Sequence, residues 1–292
     1  IIPKHIWENV APNTFIASDL HNTPIGSGPY KFISFKKDTI KKTTRSAHLE
    51  SFTDFALGQP YISNIDIFFY NNDEDLANAL SRGDVDSISF LTQQRLSSIP
   101  LGNKSVKEIK MPRYFSLFLN QDIQPLLKDR NIRVALQHAT NKKDIIDSVL
   151  GGKGDPIDSP MLSGIIDITE PICTYSFNPE RVAKILTSAG FSKNQDGIYS
   201  KTIDSKDQAL DFEITTSNWP DLIATANIIK SQWKSAGINA TVRILSLQEI
   251  QQAIKKRDYQ VLLFGEVLAL DPDPYGFWHS SQKKEAGLNL SI

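Results

Sequence analysis

Between Leu210 and Phe264 the hydrophobic pattern alternates between a period of two and a period near 3.6, and this alternation restricts the fold more than any other feature of the chain. Leu210 to Thr215 reads as a strand, Asp221 to Ala236 as a helix closed by Gly237, and Ile238 to Ile244 as a second strand. Leu247 to Lys256 then reads as a helix and Tyr259 to Phe264 as a third strand. Strands separated by helices of this length do not form hairpins; they are parallel neighbours joined by crossovers, and such sheets carry helices on their faces. Residues 210–264 are therefore predicted to be a βαβαβ unit of an α/β domain. In open sheets of this kind ligands gather beyond the carboxyl ends of the strands, where helix N-termini and unpaired backbone groups collect. Ser217-Asn218-Trp219 and Glu266 to Trp278 follow the first and third strands, and both are expected to point into one crevice.

The rest of the chain adds a second α/β region. With 292 residues, 40% of them hydrophobic, there is enough apolar material for two lobes. Pro24-Ile25-Gly26-Ser27-Gly28-Pro29-Tyr30 has turn chemistry, with two glycines available for unusual φ, and leads into a strand from Tyr30 to Phe35. The basic run Lys36 to Arg45 reads as a solvated loop or hairpin. Ile62 to Tyr70, as a buried strand, and Val85 to Phe90 flank a helix capped by Asn72 or Asp73 and ended by Gly83, which predicts another parallel crossover. Val106 to Ile109 and Tyr114 to Leu119 read as strands, the second with Tyr114, Ser116 and Phe118 on one face.

The composition shift between Asn120 and Arg133 marks the domain boundary. Residues 1–120 are expected to form part of a first lobe, ending in an interlobe strand at 114–120, and residues 121–292 a second lobe that contains the βαβαβ unit. Helices are predicted around Ile132 to Ala139, at Ile145 to Leu150, and after the Asn178-Pro179 cap. A Gly/Pro/Asp loop spans Gly151 to Pro171, Asp196-Gly197 is a hairpin turn, and Gly287 to Ile292 reads as the beginning of a strand.

Charge and residue usage exclude several functions. Lys plus Arg number 32 against 33 Asp plus Glu, so no net field holds a nucleic acid or an anionic membrane. No apolar run reaches the ~20 residues of a membrane span, and the chain starts without the charged and apolar regions of an export signal. The single Cys173 cannot form an intrachain disulfide. His5, His21, His48, His138 and His279 are dispersed, no Gly-x-Ser-x-Gly elbow is present, and the glycine clusters lack phosphate-loop spacing, so neither a metal, a cofactor nor a catalytic dyad is expected.

Four segments carry a family resemblance. Pro24 to Phe32 resembles a glycine-rich turn, and Phe118-Leu119-Asn120 through Pro125-Leu126-Leu127-Lys128-Asp129 to Leu136 is similar to an interlobe strand and helix. Asn178 to Phe191 and Arg257 to Tyr275 follow in the same order. Together they resemble the family-5 extracellular solute-binding proteins of peptide/nickel-type ABC importers, over essentially the whole chain. The resemblance implies a two-lobed, type II periplasmic-binding-protein-like α/β fold with mixed sheets and βαβ units, incomplete at both ends, with the C-terminal return to the first lobe missing. It implies a monomeric, extracytoplasmic carrier, periplasmic or a surface lipoprotein, that captures a short peptide in the interlobe cleft and delivers it unaltered to an ABC permease. Within the class, a metal chelate, an opine or an oligosaccharide is the alternative ligand; outside it, the alternatives are an α/β enzyme or a peptide receptor or adhesin without transport.

The candidate ligand-binding residues are Arg113, Tyr114, Ser217, Asn218, Trp219, Glu266, Asp271, Asp273, Tyr275 and Trp278. The aromatics offer apolar walls, Arg113 and Tyr114 a partner for a carboxylate, and the acids a partner for a cation. Asp271-Pro272-Asp273-Pro274 reads more readily as a rigid turn than as a cation pocket, because proline after each aspartate fixes φ. The resemblance also implies a buried aspartate after the last strand, paired with a peptide ammonium. The nearest positions here are Leu268-Ala269-Leu270, which leaves Asp271, Asp273 or Glu266 as the substitute.

Overall fold

The predicted parallel unit forms with a fourth strand added. A computed structural model describes residues 3–37, 44–89, 96–97, 99, 102–109, 111–162, 173–268, 273–283 and 287–291. By its internal contacts the chain divides into two units, residues 1–91 and 92–292.

In the first unit, β1 (Tyr30–Lys37), β2 (Thr44–Ser51) and β3 (Asn64–Phe68) form an antiparallel sheet in sequential order. The basic run thus gives Lys36 and Lys37 to β1 and Arg45 to β2, while 38–43 lie outside the described residues. Helix α1 (Asp73–Arg82) begins at Asn72, whose side chain accepts from the Asp75 amide at 2.8 Å, and ends at Gly83 with φ +78°. It buries Ala77, Ala79 and Leu80.

Three expectations fail in this unit. Residues 85–89 pair with no strand among the described residues, and Phe90 lies outside them. A short connection lets β3 lie antiparallel beside β2, with Ala47 opposite Ile67, which needs no crossover. The Ile62 to Tyr70 segment is not buried, since Phe68 and Phe69 are about half exposed. Gly26 and Gly28 do not take positive φ; they lie in open space ahead of β1, where a side chain would meet nothing.

The second unit is built on a four-stranded sheet of order β4-β10-β8-β9: β4 (Arg113–Leu119), β8 (Asp211–Ser217), β9 (Asn239–Leu245) and β10 (Val261–Val267). Three of these are the predicted parallel strands, and β4 runs antiparallel to β10. Ahead of β8, α2 (Arg130–Ala139), α3 (Lys142–Leu150) and α4 (Pro179–Ser188) lead to a small sheet of β5 (Ser192–Lys193), β6 (Tyr199–Ile203) and β7 (Lys206–Ala209). The Asp196-Gly197 turn joins β5 to β6, with the Asn194 carboxamide accepting from the amides of Asp196 and Ile198.

Helix α5 (Pro220–Ser235) connects β8 to β9 on one side of β8, and α6 (Leu247–Lys256) connects β9 to β10 on the other. Crossovers of one hand that advance in opposite directions leave their helices on opposite faces of the sheet. The larger core accordingly joins Leu222, Ala226 and Trp233 of α5 to Phe212, Ile214 and Leu263 of the sheet, with α2 and α4 completing it through Ile132, Leu136 and Leu186. The smaller core on the other face holds Phe118, Ile250, Tyr259, Leu262 and Leu290.

Local chemistry fixes the ends of these elements. Asp129 caps α2, Asn178 caps α4 with Pro179 in its first turn, and Ser246 and Glu249 form a reciprocal capping box on α6. Gly237, at φ +82°, ends α5, and an added Cβ there would lie 2.9 Å from the Tyr199 ring. Two further strands expected from the pattern do not form. The segment 104–109 is irregular, and residues 287–291 make no ladder but anchor on the smaller core, where the Tyr259 hydroxyl donates to the Leu290 carbonyl at 2.9 Å.

Candidate functional site

The parallel strands all end on the same side of the sheet, at Ser217, Leu245 and Val267. The antiparallel β4 starts there, so its first residues lie beside the last residues of β10, with Tyr114 opposite Glu266 and Arg113 opposite Val267. Alternation along β4 puts Tyr114 and Phe118 on one face and Arg113 and Phe115 on the other. Arg113 is exposed, its guanidinium 5.9 Å from the Phe115 ring, and is thereby separated from Tyr114.

Tyr114 and Glu266 are both buried, 7% and 4% exposed, and the phenol hydroxyl donates to Oε2 of the carboxylate. Trp278, from the short helix α7 (Tyr275–Trp278), lies beside Tyr114 and packs against Phe118 with ring centroids 6.1 Å apart. The other carboxylate oxygen, Glu266 Oε1, is buried with no hydrogen-bond partner.

This environment shifts both acids. Burial pushes the Tyr114 hydroxyl well above the usual phenol range, and the hydrogen bond to Glu266 and its charge add to the effect, while the neighbouring Trp278 indole opposes it. Burial likewise raises the Glu266 carboxyl above its ordinary value, against the opposing hydrogen bond from Tyr114.

The remaining predicted residues are placed as follows. Ser217 is buried at the end of β8, and the Asn218 amide donates to the Leu245 carbonyl at 2.9 Å. Trp219 precedes α5 and is half exposed, its indole N–H 3.5 Å from Asp221 Oδ2. The Asp273 carboxylate accepts from the Tyr275 amide at 2.9 Å, which closes a turn, while Asp271 lies outside the described residues. Tyr275 is half exposed and stacks on His279 at 4.7 Å.

Of the ten residues singled out, the structure brings Tyr114, Glu266 and Trp278 together, with Tyr114 hydrogen-bonded to Glu266. Phe118, which packs against the Trp278 ring, is not among the ten; its position four residues beyond Tyr114 on the same face is the signal that places it beside them. A polar groove of about 510 Å³ between α2 and α4, lined by Asn131, Asn178, Arg181 and Lys184, includes none of the ten. Among the described residues no helix is long and apolar enough to cross a membrane, and no group of three or more His, Cys, Asp or Glu side chains is placed to hold a metal ion.

The sheet is mixed, carries helices on both faces and holds a polar, aromatic-backed cluster at its strand ends, the end of such sheets where ligands generally gather. The chain belongs to the bacterial extracellular solute-binding proteins, family 5, whose middle-region model matches residues 2–287. The oligopeptide-binding protein AppA of Bacillus subtilis (strain 168) is 26% identical over 298 residues, which cover 99% of this chain and 52% of that protein. The structure of AppA from Bacillus subtilis in complex with a nonapeptide matches with a TM-score of 0.75 at 25% identity, covering 99% of this chain and 56% of that one. NikZ from Campylobacter jejuni in complex with Ni(L-His) matches with a TM-score of 0.77 at 26% identity, with the same two coverages. The chain spans about half the length of the curated relatives it matches. Its mixed α/β fold is that of the type II periplasmic binding proteins.

Proposed function

We propose that this chain is the ligand-holding part of the substrate-binding component of an ABC transporter, which captures a short peptide outside the cytoplasm and delivers it unaltered to membrane permease subunits. The observation that carries this reading is the Trp278, Tyr114 and Glu266 cluster at the strand ends, a polar group set in an aromatic wall. A peptide needs both, because its backbone and termini lose water on binding and its side chains seek apolar surface. The half-exposed rings of Trp219 and Tyr275 supply further wall. The likeness to AppA bound to a nonapeptide supports the same ligand class. The working form is a monomer without nucleic acid, and its task is capture and release rather than bond cleavage.

A metal chelate is the second reading, favoured by the likeness to NikZ bound to Ni(L-His). Mass spectrometry of what co-purifies with the full-length protein separates the two. A heterogeneous set of short peptides is the expected result; a single metal chelate would replace the first reading with the second. Conversion of an added peptide to smaller products would end both.

A further inference from the structure

We propose that the polar groove between α2 and α4 is the surface on which an acidic extracytoplasmic segment of the permease subunits seats, with Arg181 and Lys184 as its anchors. This rests on the carrier reading and adds to it a second surface, separate from the ligand cluster.

Two cations of α4 have no use within the fold. Arg181 and Lys184 are exposed, and among the described residues their side chains make no hydrogen bond or ion pair. Standing three residues apart they are neighbours on the helix surface, where like charges repel. Glu180 has the spacing to neutralise Lys184, yet the two form no ion pair, whereas Lys143 and Asp147 on α3 pair at the same spacing at 2.8 Å. Arg181 also lies in the first turn of α4, where the helix dipole favours an acid such as Glu180 and disfavours a cation. Helix stability therefore accounts for neither cation, and an anion from outside the chain accounts for both.

The surroundings define what that anion belongs to. The groove has a volume of about 510 Å³ and follows the whole length of α4, whose ten residues span about 15 Å. Asn131 on α2 and Asn178 at the head of α4 add carboxamide donors, and Ile185 adds an apolar contact. Small-molecule clefts are enclosed and mostly apolar, while a lining of this polarity is typical of the rim of a protein interface, where arginine is enriched. A guanidinium takes a carboxylate through two parallel hydrogen bonds. The matching occupant is a stretch of protein chain bearing Asp or Glu.

The location suits a docking surface on a loaded carrier. None of the ten candidate ligand residues lines the groove, so a partner seated there leaves the ligand cluster free. Both helices nonetheless pack on the sheet that carries Tyr114 and Glu266, through Ile132, Leu136 and Leu186. A partner in the groove thus grips the same rigid unit that holds the cluster.

The test is stimulation of the ATPase of the ABC transporter, reconstituted in proteoliposomes, by the full-length carrier loaded with a mixture of short peptides. The double variant Arg181→Glu/Lys184→Glu is expected to raise the half-saturating carrier concentration about 10-fold or more at about 50 mM salt, and much less at about 500 mM, where the charges are screened. Arg181→Gln/Lys184→Gln is expected to fall between that variant and the wild type. Glu180→Lys removes the one acid of the groove and is expected to lower half-saturation about 2- to 5-fold. Calorimetry with the same peptide mixture is expected to give all variants the wild-type affinity within about twofold, since none touches the ligand cluster.

A half-saturating concentration unchanged in the double variant overturns the proposal, and so does a wild type indifferent to salt or a Glu180→Lys variant that weakens stimulation. Binding of free succinate at constant ionic strength, lost in the double variant while stimulation is not, assigns the groove to a small anion and overturns it as well. A wild type that takes peptides but stimulates no transporter overturns the carrier reading itself.

Discussion

The side-chain amide of Asn120 donates to the backbone carbonyl of Arg257 at 2.9 Å, tying the end of β4 to the end of α6. Arg257 closes that helix at φ +58°, a left-handed conformation that costs a non-glycine residue about 1–2 kcal/mol. The Asn120 Oδ1 also accepts from the amides of Asp122 and Ile123, so one buried side chain satisfies three backbone groups. Asn120→Ala leaves all three without that partner and is expected to destabilise the chain by about 2–3 kcal/mol in urea unfolding. Asn120→Asp keeps the acceptor and loses the donor, and is expected to fall between the two.

The stability of the fold should carry a pH signature from Glu266. Its carboxyl titrates above the ordinary value of 4.5 in the folded chain, so the native state holds this proton more tightly than the unfolded state does. That contribution is complete below the unfolded value and is lost as pH rises through the raised one. Glu266→Gln mimics the protonated form. It is expected to match the wild type near pH 4.5, to exceed it at pH 7, and to flatten the slope between them in a series of denaturant titrations.

Gly265 marks a close approach on the opposite face of the sheet. A Cβ there would stand 2.9 Å from Cδ1 of Phe115, so Gly265→Ala forces the ring aside at an expected cost of about 1–3 kcal/mol. In a Phe115→Ala background the same substitution should cost less than about 0.5 kcal/mol beyond the first change, a coupling that a double-mutant cycle measures.

The α6 capping box gives a prediction of the opposite sign in pH. The Glu249 carboxylate accepts from the Ser246 hydroxyl at 2.6 Å and from its amide at 2.8 Å, and these bonds lower its pKa. Its contribution is present above the ordinary 4.5 and is lost as pH falls through the lowered value. Ser246→Ala removes the cap at a cost of about 1 kcal/mol and should move the Glu249 titration, followed by NMR, up toward 4.5.

The sequence revealed most where local chemistry decides. The βαβαβ unit is readable because Gly237 closes its first helix and the change of hydrophobic period between Leu210 and Phe264 separates strands from helices without reference to the rest of the chain. The crossover around α1 was misread because the preference of β3 for β2 over residues 85–89 is set by which edge is nearer in space, a fact no periodicity encodes. At the site, Tyr114 and Glu266 were each singled out, yet their pairing depends on a register between strands 152 residues apart.

The order of the four-stranded sheet also dictates when it is completed during synthesis. The strand between β4 and β8, residues 261–267, is the last of the four to leave the ribosome. Until it arrives, the growing chain carries two facing strand edges with unmatched backbone groups, the kind of surface that recruits stray partners. Variants that weaken β10 should therefore show their damage first as lost yield of soluble nascent protein, before any loss of grip on a ligand.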